Sequence, residues 1–337
     1  MKKLLLILTL IIGLVACENF DITHPDFDYT TGYFPYQFPV RTLVLGDYIY
    51  DNSNDNAHKF VISIAMGGVY ENTKDRVFDF VVDETLCNKI KFSVTGDTIK
   101  ALPASYYTLS SPNKIIIPKG KVNGGIEVQL KDAFFTDPLA IKNKYVVPIK
   151  LLSSTDVDSI LLGNTLNPAA DLRVATQWNV APKNFTMFAV KYINEYHGTY
   201  FYYGASSVKN SSNTVIENTT YSTTYVENNT TAQLVTTGRN QVSLTSNLRS
   251  TVMTGTIKML LTFSGSNCTI TAAPGSTFTI SGTGEFKSKA YEWGSKKRDG
   301  IVLNLTVSNG VNTYTSSDVM VIRDRAVVME IYTPVVY

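Results

Sequence analysis

Short runs of β-branched and aromatic residues recur along nearly the whole chain, separated by turn chemistry. Phe60-Val-Ile-Ser-Ile64 and Val77-Phe-Asp-Phe-Val-Val82 are the strongest early runs. Ile126, Val128 and Leu130 alternate with Glu127 and Gln129, the period of two that turns one strand face to the core and the other to water. Gly67-Gly68, Ser111-Pro-Asn113, Pro118-Lys-Gly120 and Asn123-Gly-Gly125 supply the punctuation. About seven short strands at this spacing predict an immunoglobulin-like β-sandwich over residues 33–153.

Residues 154–184 lose the periodicity and read as a linker with one short ordered element, whose Trp178 packs on a neighbouring domain. Strand patterns resume over residues 185–337. Phe185, Phe188, Ala189, Tyr192 and Ile193 also suit one face of a helix, but the aromatic and β-branched content of that segment favours a strand. Ile301, Leu303, Leu305 and Val307 alternate with polar or smaller residues, and Val327 to Tyr332 reads as the last strand. So many antiparallel strands with short connections predict a lipocalin-like β-barrel or closed sandwich, which also protects its edges. The expected fold class is all-β, with two domains.

The N-terminus has a different pattern. Lys2 and Lys3 precede an apolar stretch from Leu4 to Val15, which ends in the box Leu14-Val15-Ala16-Cys17. The stretch is about half of the ~20 residues that a spanning helix needs. Residues 1–17 therefore read as a lipoprotein signal peptide with Cys17 as the lipidated residue, and residues 18–32 as an acidic tether broken by Pro25.

Composition adds mostly exclusions. The formal net charge of the 337 residues is +2, and 17% are charged, against ~25% in an average soluble protein. That balance argues against nucleic acid as a partner. Cys87 and Cys268 lie in different halves and read as isolated buried residues, although a long-range pairing stays open. The three histidines, His24, His58 and His197, lack metal-ligand spacing, and there is no G-x-S-x-G elbow. The expectation is no enzyme, no metal and no cofactor. Asp51-Asn-Ser-Asn-Asp-Asn56 offers oxygens at alternate positions, but it has Asn56 and Ile62 where a calcium loop needs Gly and Glu, so it reads as a polar turn.

Sugar recognition is the chemistry the chain can supply, because it needs an aromatic face for a pyranose ring and planar polar groups for its hydroxyls. Tyr291-Glu-Trp293 with Lys296, Lys297, Arg298 and Asp299 is one such stretch. Tyr196-His-Gly-Thr-Tyr-Phe-Tyr-Tyr203 is a second, and Tyr221 with Tyr225 a third. The candidate ligand-binding residues are Trp293, Arg298, Tyr291, Asp299, Tyr203 and His197, led by Trp293 and Arg298. A competing reading has alternate tyrosines of the second stretch in the core and Trp293 merely closing the barrel.

Several elements in residues 33–153 carry a resemblance. They are Tyr33-Phe34, Pro39-Val-Arg-Thr-Leu43, Gly67-Gly-Val-Tyr-Glu-Asn72, Phe80-Val-Val-Asp-Glu-Thr-Leu86, Leu102-Pro-Ala-Ser-Tyr-Tyr107 and Tyr145-Val-Val-Pro-Ile-Lys150. This region resembles the domain of unknown function at the N-terminus of adhesin-like and glycan-utilisation lipoproteins of the Bacteroidetes. Lys191-Tyr-Ile-Asn-Glu-Tyr-His-Gly-Thr-Tyr200, with Gly282-Thr-Gly284, Trp293 and Asp324-Arg325, is similar to the lipocalin-like domains that follow it. The resemblance implies a lipoprotein of the outer membrane, facing the cell exterior and encoded among polysaccharide-utilisation genes. It implies capture of a polysaccharide or oligosaccharide; with no catalytic motif found, the role is expected to be non-catalytic, with outer-membrane lipid bound through Cys17 and an outer-membrane transporter complex as a further expected partner. It transfers no binding residues. The alternatives are an adhesin or structural subunit that binds a protein, and a lipocalin-type carrier of a small apolar ligand.

Overall fold

The computed structural model describes residues 29–337; the segment expected as a signal peptide, Cys17 and nearly all of the expected tether lie outside the described residues. Two β units follow. The first is a sandwich of two sheets. One sheet runs Ser159–Ile160, Thr31–Tyr33, Lys59–Gly67, Asn123–Leu130, Tyr107–Leu109 in spatial order. The other runs Glu330–Ile331, Pro39–Val44, Phe185–Ile193, Tyr145–Ser153, Arg76–Val82, Lys114–Ile117, with Lys100–Ala101 also paired to Tyr145–Ser153. The alternation in Asn123–Leu130 holds, with Ile126, Val128 and Leu130 buried between the sheets.

The strand Phe185–Ile193 corrects the expected domain boundary. It pairs antiparallel with Tyr145–Ser153 and parallel with Pro39–Val44, so it is a central strand of the sandwich and not the first strand of the barrel. Val190 and Tyr192 face the inter-sheet core, while Phe185, Met187 and Ala189 face a second apolar cluster behind the sheet. Burial on both faces explains why its apolar residues run nearly continuously and also mimic a helix face. The segment expected as a linker is likewise part of this unit. Ser159–Ile160 pairs with Thr31–Tyr33, Asp156 pairs with Lys74, and the Arg173 guanidinium donates to the Leu86 carbonyl (2.9 Å). Trp178 is half-buried, and its indole N–H donates to the Asp171 carbonyl within the same segment (2.8 Å).

Val327 to Tyr332, expected as the last barrel strand, also belongs to the sandwich. Glu330–Ile331 pairs with Pro39–Val44, and Val335–Val336 pairs with Ile90–Lys91. Tyr332 is the anchor of this return. Its ring packs on Phe38 and Phe92, and its hydroxyl donates to the Met187 carbonyl (2.7 Å). Truncating it empties a buried aromatic site, so Tyr332→Ala should lower stability by about 3–4 kcal/mol, read as a lower urea midpoint at unchanged m-value. A midpoint shift worth less than about 1 kcal/mol would mean that the tail is not holding the second cluster together.

The barrel occupies the chain between these two crossings. Its eight antiparallel strands are Gly198–Lys209, Thr231–Gly238, Gln241–Asn247, Thr256–Ser264, Asn267–Ala272, Thr279–Trp293, Lys296–Ser308 and Thr313–Asp324. Pairing of the last with the first, from Thr199 with Asp324 to Lys209 with Thr313, closes it. Val215–Tyr221 adds a ninth strand beside the far half of Gly198–Lys209. Ile301, Leu303, Leu305 and Val307 point inward as their alternation requires, and meet Leu244, Met259, Leu261 and Met320. The eight-stranded interior is thus filled by its own side chains and forms a packed core.

Candidate functional site

The two units meet at the paired crossings, and Arg325 fastens them. It is 6% exposed, and its guanidinium donates to the carbonyls of Leu45 (3.0 Å), Asp47 (2.8 Å) and Asn194 (2.6 Å). Burial pulls its pKa down from the ordinary value, while the surrounding Tyr200, Asp47, Asp299 and Glu195 oppose that shift. Lys289 adds an ion pair to Asp47 across the same junction.

Above this junction lies a cleft of about 860 Å³. One wall is the barrel hairpin that carries Trp293 and Arg298. The hairpin turn uses Gly294 and Ser295, both with φ near +58° (58° and 57°), the geometry of a two-residue type I′ turn. Pairing of Trp293 with Lys296 and of Tyr291 with Arg298 puts Trp293 and Arg298 diagonally on one strand face. Ile301 and Leu303 point inward on the same strand, so that face is the outer wall of the barrel. The Trp293 indole N–H donates to the Ile322 carbonyl (2.9 Å), and the ring meets Phe201 edge-on, so the indole is fixed. The Arg298 guanidinium lies 4.3 Å from the indole centroid.

That geometry changes the expected division of labour. One face of Trp293 is covered by Arg298, so the indole serves as a bed for the guanidinium there and not as an open platform for a sugar. The opposite wall supplies the aromatic surface instead. Tyr48, Ile49 and Tyr50 come from a sandwich loop, with the two tyrosine rings edge-to-face at 5.4 Å and Tyr50 67% exposed. The sequence reading missed this loop. Its signal was Asp47-Tyr-Ile-Tyr-Asp51, aromatic residues standing between Gly46 and Asn52 and outside every strand pattern.

The polar turn at residues 51–56 holds that loop. Asp55 accepts from the Val44 N–H (2.9 Å) and pairs with Arg41, while Asn56 accepts from the Gly46 N–H (2.8 Å). Asn52 donates to the carbonyls of Val44 and Gly46. These side chains work as a clip for the loop, in keeping with a structural turn.

The remaining candidates disperse. Asp299 reaches the cleft, but its carboxylate accepts from the Lys289 N–H (2.8 Å), where Lys289 sits at φ +51° in the bulge between Lys287 and Tyr291. It is a bulge-closing residue. Tyr291 and Tyr203 are half-buried on the outer wall and do not line the cleft, with the Tyr291 ring seated over Gly300, so close that a Cβ there would lie 2.4 Å from it. His197 lies at the junction, where its Nδ1 accepts from the Thr236 N–H (3.0 Å). Burial, then Arg325 and Lys191, push its pKa down to about 4.

The His197 shift has a stability consequence. The unfolded imidazole titrates near its model value of 6.5 and the folded one near about 4, so only the unfolded chain takes the proton between those values. The stabilisation is complete above about pH 6.5 and is lost as pH falls towards about 4, amounting to at most about 3 kcal/mol. Urea unfolding at about pH 7 and about pH 4.5, compared with His197→Asn, isolates it from the carboxylates. Identical pH dependence in the two proteins would refute the assignment.

A second buried polar cluster belongs to the barrel interior. Asp318 is fully buried and accepts from the hydroxyls of Ser316 (2.6 Å), Tyr202 (3.1 Å) and Tyr221. Gly204 makes room for it, since a Cβ there would lie 2.6 Å from the carboxylate and 2.3 Å from the Ser317 carbonyl. Among the described residues no group of His, Cys, Asp and Glu has the arrangement of a metal site.

Comparison with known proteins places one family boundary around the barrel and another within the sandwich. A domain of unknown function, DUF5627, matches residues 195–326, which is the barrel, and a model described as an N-terminal domain matches residues 27–158. A crystal structure of a Bacteroides ovatus protein of unknown function is 34% identical, with a TM-score of 0.85, over 92% of this chain and 100% of that one. A multidomain Bacteroides ovatus protein that includes DUF1735 is 13% identical with a TM-score of 0.43, over 87% of this chain and 94% of that one. No curated protein matches.

Proposed function

The chain belongs to the family of the Bacteroides ovatus protein of unknown function, and from that premise we propose that it is a non-catalytic glycan-binding protein, lipid-anchored at the outer face of the outer membrane. The carrying observation is the cleft at the domain junction, where the fixed Trp293–Arg298 pair and the Tyr48–Tyr50 loop form opposing walls. A sugar offers apolar C–H faces and a rim of hydroxyls. Tyr50 meets the first need, and Lys296, Arg298 and Glu195 the second. Lipid attachment at Cys17, in the segment outside the described residues, would hold many copies on one surface and give avidity to weak individual sites.

Affinity electrophoresis of the 18–337 protein in gels containing plant, mucin or microbial polysaccharides tests the reading. Retardation by at least one of them is expected, and Tyr50→Ala should weaken it about tenfold, the scale of one lost aromatic contact. Free migration in every gel by a normally folded protein would overturn it. A protein partner is the second reading, favoured by the apolar rim of the cleft, where Ile49 and Val328 are each at least 70% exposed. Replacement of the cysteine, Cys17→Ser, should move the protein out of the membrane fraction, and retention there would refute the anchor.

A further inference from the structure

The cations that line the cleft are not equally committed. Lys289 is paired with Asp47, Arg323 lies 3.5 Å from Asp324, and Arg325 is consumed by three backbone carbonyls. Arg298 has none of this. Among the described residues it forms no ion pair and donates no hydrogen bond to protein, and its Nε is buried without a partner. The Arg325 Nε is likewise buried without a partner, so what sets Arg298 apart is that its terminal nitrogens also make no hydrogen bond or ion pair among the described residues. Lys296, on the same hairpin and in the same cleft, is exposed and also without an ion pair among the described residues.

The stacking geometry tells which partner fits. The Arg298 guanidinium carbon lies 4.3 Å from the indole centroid, and its terminal N–H groups, unbonded within the described residues, match the two oxygens of a carboxylate or sulfate. The cleft acids that would repel such a group are mostly engaged. Asp47 is neutralised by Lys289, Asp299 is bonded in the bulge, and Asp324 accepts from the Ala326 N–H. Glu195 is the remaining acid of the wall.

We propose that the cleft is selective for acidic saccharides, with the carboxylate or sulfate of one sugar residue received by Arg298, Lys296 adding charge, and the ring resting against Tyr50. This rests on the glycan reading above and narrows its ligand class. Trp293 is then a positioning residue that holds the guanidinium in place.

Calorimetric titration of the 18–337 protein tests it with polygalacturonate, alginate and chondroitin sulfate as acidic probes, beside carboxyl-reduced polygalacturonate and desulfated, carboxyl-reduced chondroitin as neutral ones. Binding to an acidic probe is expected, weakened at least about tenfold in its neutral counterpart and weakened as much by Arg298→Gln. Which acidic probe binds separates carboxylate from sulfate. Equal affinity for acidic and neutral forms would overturn the selectivity and leave the glycan reading standing. Binding to none of the five probes would overturn the selectivity, and the polysaccharide gels would then decide the glycan reading separately. Arg298→Gln that melts like wild type and keeps full affinity would overturn the role of Arg298. A Trp293→Phe variant should keep most of the affinity, whereas Trp293→Ala, which also loses the Ile322 bond and the Phe201 contact and so melts lower, should lose it at a temperature where the variant is still fully folded.

Discussion

Arg325→Ala should uncouple the barrel from the sandwich, turning one cooperative melt into two and lowering the stability of the joined protein by about 3–5 kcal/mol. The loss has two sources. The carbonyls of Leu45, Asp47 and Asn194 lose their shared donor; the Asn194 carbonyl is buried and costs about 1–3 kcal/mol when left open, while the part-buried Leu45 and Asp47 carbonyls cost less. The Leu45 and Asp47 carbonyls belong to the sandwich and Asn194 leads into the barrel, so one side chain spans both units. Arg325→Lys should recover only part of the stability, because an ammonium cannot reproduce a planar fork aimed at three acceptors. Differential scanning calorimetry reads both outcomes. A single transition within about 0.5 kcal/mol of wild type would show that the junction is held elsewhere.

Replacement of the barrel's buried carboxylate, Asp318→Ala, should be the second severe lesion, at about 3–5 kcal/mol, because it strands the hydroxyls of Ser316, Tyr202 and Tyr221 around an empty space. Asp318→Asn keeps the shape and one acceptor and should cost far less. The pH dependence gives an independent reading. Burial raises the Asp318 pKa above its model value despite three donated hydrogen bonds. A folded pKa above the unfolded one means that the stabilisation is full below about 3.8, the unfolded value, and is lost as pH rises through the folded value. Asp318→Asn should therefore flatten stability against pH on that acid limb, measured by urea midpoints. An unchanged profile would remove Asp318 as its source.

How far the sequence could be read depended on whether the relevant contacts were local. Ile301 to Val307 alternates because one face is core and the other is not, so its orientation was legible residue by residue. Trp293 and Arg298 were legible as a pair because they share one hairpin. Phe185–Ile193 was legible as a strand, but not its membership, because a strand buried on both faces has no polar side to indicate its neighbours. Arg325 had no signature at all, since its three acceptors come from separate stretches and are backbone atoms. His197 and Tyr203 drew attention as an aromatic cluster, yet one turns to the junction and the other to the outer wall.

The return of the last residues to the sandwich makes the barrel an insertion within another domain. Nothing C-terminal to Asp324 is needed to close the barrel, whereas the sandwich waits for Glu330–Ile331 and Val335–Val336. During synthesis the inserted unit can therefore mature first, while its host keeps the Pro39–Val44 strand edge and the seat of Tyr332 open until residues 330–336 have emerged. The same arrangement makes the insert a cartridge. Both of its ends leave the host beside Arg325, so a different barrel could be exchanged there, with a new cleft wall, while the host sandwich stays unchanged.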